Sequence, residues 1–200
     1  TTENNVRYTM SSFRYYMSNI RLVKSDGTEQ SLGDKVFLVN PNTSDYSLGN
    51  VPVGEYKGIR FTLGLDNVTN HLDPTTYPLS NPLAIQSPAM HWSWNSGYIF
   101  MMLEGSCDTT ATNNDVLTYG QYSKPMFFHI GTDALAKSID VQNATFTVSE
   151  STTNVLKMHS DINRLFVGVD LKTENQSHTM GSVSLATKVA NNFNSMFSIQ

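Results

Sequence analysis

The sequence predicts an all-β protein: an antiparallel β-sandwich with long loops and one C-terminal helix. Three observations predict it. Apolar and polar residues alternate with a period of two over many short stretches. Gly, Pro, Asn and Asp punctuate those stretches every 10 to 20 residues or so, the spacing of sandwich strands. A helical period is convincing in a single segment near the C-terminus.

Taken in order, "FRYYMSNIRLV" (13–23) places Phe13, Tyr15 and Met17 on one face and, after a change of phase near Ser18, Ile20 and Leu22. That break predicts a bulge or a corner, and "SDG" (25–27) supplies turn chemistry after it. "KVFLV" (35–39) reads as a short strand buried on both faces. "GEYKGIRFTLGL" (54–65) alternates Ile59, Phe61 and Leu63 between glycines. Residues 97–105, 124–131, 141–149 and 163–171 read as further strands, and 132–138 as a turn of helix. In "SLATKVANNFNSMF" (184–197), Leu185, Val189 and Phe193 fall four apart beside Ala186 and Ala190, one apolar stripe of a helix lying against the sandwich. The segment 66–90 is rich in proline and poor in strand formers, and connections of that length in compact domains are usually functional or disordered. It holds His71 and runs into "AMHWSWNSGYIFMMLEG" (89–105), where Met90, Trp92 and Trp94 alternate with His91, Ser93 and Asn95. With no internal repeat or linker, residues 1–200 are expected to form one domain.

Composition narrows the function. A net charge of −4, with 13 Lys and Arg scattered along the chain, argues against a nucleic-acid surface, which needs clustered cations. No apolar run is long enough for a transmembrane helix. The low charge and the abundance of Asn, Ser and Thr fit an exported protein, with N-x-S/T sequons at Asn42, Asn67, Asn143 and Asn175. Cys107 is the lone cysteine, which excludes an intrachain disulfide and a CxxC metal site. No G-x-S-x-G elbow, P-loop or dinucleotide fingerprint occurs, and no carboxylate pair shares a strand, so no enzyme is expected.

The donor residues that remain are histidines and thioethers. His129 ends the apolar strand "MFFHIG", where a polar ring needs a partner or a metal. His178 and Met180 lie in the loop "SHTMG", and a His with a thioether suits Cu(I). Met90 and His91 precede the aromatic strand, with Trp92 and Trp94 either packing the core or lining a site. Around His71, Asp66, Asn70 and Asp73 offer oxygen donors of the kind calcium takes.

Several stretches, "FRYYMSNIRLVKSDG", "VPVGEYKGIRFTLGLD", "NHLDP", "MHWSWNSGYIFMMLEG", "FFHIG" and "VANNFNSMF", resemble in identity and order the MbnP-like family. That family is named for the methanobactin-associated periplasmic protein. It includes copper-binding surface proteins of methane-oxidising bacteria and exported proteins of Bacteroidota, whose branch this sequence resembles most. The resemblance spans roughly residues 8 to 197 and implies a sandwich-like fold and a non-catalytic copper role. The protein would be periplasmic, or secreted and held at the outer membrane as a lipoprotein. The resemblance also implies a haem-containing peroxidase-like partner or an outer-membrane transport partner. The family's two histidine ligands correspond to His71 in N-H-x-D and His129 in F-H-h-G. Its tryptophans correspond to Trp92 and Trp94, which could be modified. Three departures stand out. The family's first strand, before the segment matching "YTM", is expected to be missing or untraced. No cysteine follows "FHIG". Thr69 holds the position where one type of member carries a tryptophan that becomes a kynurenine ligand, so that ligation cannot occur here.

The expectation is an exported copper-binding protein using His71 and His129 on Cu(I) or Cu(II), with His178, Met180, Met90 or His91 completing the site. The alternative is a metal-free or calcium-stabilised cell-surface domain that binds a protein or glycan.

Overall fold

The computed structural model describes residues 2, 5–93, 97–110, 117, 121–142, 144–150 and 153–200. Among them the architecture is all-β, with one long strand at its centre. β1 (Tyr8–Lys24) pairs antiparallel with β6 (Gly97–Asp108) through its first half, Tyr8 to Tyr15. Through its second half, Met17 to Lys24, it pairs with β4 (Gly54–Leu63). The predicted change of phase is real. The β1–β4 register shifts between Ser18 and Arg21, and Asn19 takes φ +50°, a conformation that Asn tolerates better than most residues.

The large sheet runs β11 (Gln176–Ser177), β7 (Ser123–Gly131), β6, β1, β4, β8 (Lys137–Val141). β2 (Glu29–Ser31) and β3 (Phe37–Val39) attach to β1. β5 (His91–Trp92) attaches to β6, and β9 (Phe146–Val148) to β4. Every pairing is antiparallel except β11 with β7. A second small ladder joins β10 (Met158–Ser160) to β12 (Phe197–Ile199).

The curled sheet encloses the core with the faces that alternation predicts. Ile59, Phe61 and Leu63 of β4 are buried, as are Met126, Phe128 and Ile130 of β7. Removing each such side chain from water is worth about 1.5–3 kcal/mol. The helical stripe is confirmed within shorter bounds. α2 (Val183–Asn191) buries Leu185, Ala186, Val189 and Ala190 and packs against β7 and β11. The chain then tightens into a 3-10 turn (Phe193–Met196) before β12.

Four local expectations are corrected or sharpened. Residues 163–171 are not a strand. Asp161 caps a 3-10 helix over Ile162–Phe166 by accepting from the Asn163 amide, and Gly168 turns the chain at φ +70°. The apolar run exists to bury Leu165, Phe166, Val169 and Leu171, with Phe166 against Phe128. Residues 35–39 are half-exposed, because β3 only flanks β1 at Tyr15 to Met17. Residues 141–149 split between the end of β8 and β9, which pair with different parts of β4. The turn of helix expected at 132–138 is a 3-10 turn over Asp133–Leu135.

The loop 66–90 is partly ordered by short helices. Asp66 caps α1 (Asn67–Asn70) through the Thr69 amide, and Asp73 caps a 3-10 turn over Pro74–Thr76 through the Thr75 amide. Asn70, only 2% exposed, accepts from the Tyr98 amide at 2.8 Å and so rivets this loop to β6.

Candidate metal centre

On β7, burial alternates. While Phe128 and Ile130 face the core, Phe127 and His129 face outward. Register then decides their neighbours. Met102 of β6 stands opposite His129, and Glu104 opposite Phe127. Directly opposed residues share a face, so Glu104, Phe127 and His129 lie on one outward patch together with Met102, which is itself buried. The Glu104 carboxylate meets His129 Nε2 at 2.8 Å.

A loop from β11 covers this patch. β11 continues the ladder beside Phe127 and Phe128 for only two residues. Beyond it, Thr179 takes over with its side chain. Its hydroxyl donates to the His129 carbonyl at 2.8 Å and accepts from the Gly131 amide at 3.1 Å. Thr179 is 1% exposed and sits at φ +59°, unusual for a β-branched residue. Its amide donates to Ser177 Oγ at 3.1 Å. Held this way, the loop swings His178 over β7. The His178 ring lies tilted over Phe127 at 4.3 Å between centroids, and its Nδ1 meets His129 Nδ1 at 2.9 Å.

His129, His178 and His91 line one open recess of about 340 Å³ with Met102, Trp92, Ile99 and Ala89. His91 stands on β5 opposite Tyr98, its ring edge-on to the phenol at 4.9 Å. Trp92 is buried and packs over Gly131, where a Cβ would lie 2.6 Å from the indole. Burial holds the His129 pKa below the ordinary value, outweighing the opposing hydrogen bond that its ring donates to Glu104, and the nearby His178 pushes the same way as burial. Burial likewise lowers His91, against the pull of Asp73. Depressed pKa values favour neutral imidazoles near pH 7, the form that ligates metals.

His71 lies elsewhere. It closes the C-terminus of α1, and its Nε2 meets Asp133 at 3.1 Å. Asp133 also accepts from Asn67 at 2.6 Å and from Asn70 at 2.8 Å. Burial would raise the Asp133 pKa, but the hydrogen bonds from Asn70, His71 and Asn67 prevail and lower it. The structure thus sets His178, rather than His71, against His129. Met90 is buried in the core, whereas Met180, 57% exposed, follows His178 into solvent. Trp94 falls outside the described residues. The oxygen donors considered for calcium are engaged locally, Asp66 and Asp73 in caps and Asn70 between Asp133 and Tyr98.

Among the described residues, no group of three or more His, Cys, Asp or Glu forms a metal cage. The donor set is therefore two facing imidazoles, with His91 and the buried Met102 lining the same recess, and imidazole donors suit copper. Two bonds of about 2.0 Å to nitrogens 2.9 Å apart subtend roughly a right angle, so the pair is compatible with one ion. Sequence reasoning missed Glu104, Met102 and Thr179. Glu104 and Met102 would have needed the β6–β7 register, and Thr179 carries no motif at all.

A family model described as MbnP matches residues 1–181. The solved structure of MbnP from Methylosinus trichosporium is similar with a TM-score of 0.52 and 17% identity, over 88% of this chain and 73% of that one. At that identity the likeness speaks for the fold alone. No curated protein matches the sequence. Because that family model matches residues 1–181, well over half of the chain, this chain belongs to the MbnP family.

Proposed function

We propose that this protein is an exported, non-catalytic copper-binding protein, taking Cu(I) or Cu(II) for capture, storage or delivery. The observation that supports it is the 2.9 Å approach of His129 Nδ1 and His178 Nδ1 on a recess that His91 also lines. Bound copper would give this site a transferable soft ion. The chain's own part is to present imidazole donors and to wall them with Trp92 and Ile99. Delivery implies a partner that loads or unloads the metal, and a peroxidase-like haem protein or an outer-membrane transporter is the class proposed. Among the described residues, no helix is long and apolar enough to cross a membrane.

The test is calorimetric titration of metal-stripped protein with Cu(I) and with Cu(II), in wild type and in H129A, H178A and H71A. Binding at one ion per chain, lost in H129A and H178A and kept in H71A, is the expected result. Loss in H129A and H71A, with H178A intact, would restore the ligand pair implied by family resemblance. The second reading is a surface domain that binds a protein or glycan without metal. It is favoured by the exposed Val68, Leu72, Leu79 and Ile85 along the loop that leads into the recess. Absence of copper binding by wild type would leave that reading in place.

A further inference from the structure

The side of each imidazole that a metal meets is set by what holds the other side. A carboxylate only accepts hydrogen bonds, so Glu104 at 2.8 Å requires His129 Nε2 to carry its hydrogen. A neutral His129 ring then has its lone pair on Nδ1, the atom that points at His178. For the 2.9 Å contact to be a hydrogen bond, His178 Nδ1 must donate to His129 Nδ1. The geometry points to an assignment that rests on the copper reading above. We propose that Glu104 is the positioning residue of the site, fixing His129 as the Nε2–H tautomer, and that His129 and His178 both ligate through Nδ1.

The arrangement has the form of a carboxylate–histidine–metal triad, in which an outer carboxylate orients the ring and raises its basicity. Its location supports a role toward the site. Glu104 lies on β6 in the outward patch, with its side chain 37% exposed. His178 has a complementary part. To ligate through Nδ1, His178 would release its Nδ1 hydrogen to solvent and carry its proton on Nε2 instead. His129 needs no such change, because Glu104 has already placed its hydrogen. The two rings are therefore unequal: His129 is prepared and His178 must rearrange.

The experiment is nitrogen NMR of the full chain carrying ¹⁵N-labelled histidine, metal-free and with one equivalent of Cu(I). It is run on wild type, Glu104→Gln and Glu104→Leu, with Cu(I) affinities measured in parallel. In metal-free wild type, His129 is expected to show a protonated Nε2 and an unprotonated Nδ1, with coupling through the hydrogen bond to His178 Nδ1. Cu(I) then shifts Nδ1 of both rings. Glu104→Gln keeps an acceptor oxygen and retains this pattern. Glu104→Leu gives mixed tautomers at His129 and weakens Cu(I) binding by about 10–100-fold, the usual effect of losing such an outer partner. Cu(I) bound through His129 Nε2, or Glu104→Leu matching wild type in both tautomer and affinity, would overturn the assignment while leaving the copper reading intact. No histidine shift on adding Cu(I) to wild type would overturn both.

Discussion

Among the described residues, two histidines meet carboxylates at hydrogen-bond distance, and they are built for different ends. His71 is half-exposed, and its partner Asp133 also gathers Asn67 and Asn70. That cluster pins a loop to the corner after β7. His129 is 13% exposed, and Glu104 holds one nitrogen while the other faces a second imidazole. The lesson is that a histidine–carboxylate pair acquires chemical use through what stands at the ring's other nitrogen. At His71 the carboxylate serves many donors and the product is order. At His129 it serves the ring, and the product is an aimed lone pair.

The sharpest way to break this contrast is to delete each ring. H129A is expected to weaken copper binding by roughly 100-fold or more, beyond the range of a lost outer partner, while H71A stays within about threefold. Competition against a copper chelator of known affinity reads both. Next in size, Thr179→Val keeps the shape but removes both hydroxyl bonds that seat the His178 loop, and about a tenfold loss of copper affinity is expected. Thr179→Ser, which keeps those bonds, should remain near wild type. If Val and Ser variants bind alike, the loop needs no clamp.

Asp133→Ala should act in the opposite sense. It strands the Asn70 amide and frees the loop, lowering stability by about 1–2 kcal/mol while leaving copper affinity unchanged. Urea denaturation with parallel metal titration separates the two effects. The smallest effect concerns pH. The folded-state pKa of His129 lies below its ordinary 6.5, so the unfolded chain takes up the proton first and stability falls as pH drops below that value. His91 adds to the same slope. Melting temperatures recorded from pH 7.5 downward should stay level at first and then decline, less steeply in H129A. An equal decline in both would assign the slope to other groups.

Much of this fold could be read in the sequence because alternation is a local property. Met90 and Trp92 are buried as alternation requires, and so are Phe128 and Ile130. The stripe Leu185, Val189 and Phe193 is buried too. The failure at 163–171 has a physical cause: an apolar run shows that a segment is buried, and burial does not choose between a strand and a capped 3-10 turn. The site was legible only in its polar outliers. His129 stood out as an imidazole within an apolar strand, and His178 as a weaker candidate. Glu104 and Met102 became its neighbours through the β6–β7 register, and strand pairing across some 25 positions leaves no local trace.

β1 carries a further consequence, which is kinetic. Both flanks of the molecule hang on that strand, β6 from one half of its length and β4 from the other. Neither flank can complete its ladder until segments far apart in the chain have met, as when Tyr8 finds Cys107. Closing such large loops ahead of any reward makes for slow folding, on the millisecond-to-second scale of sandwiches. The same tie makes fraying of β1 a global event, so its amides should be among the last to exchange with deuterated solvent.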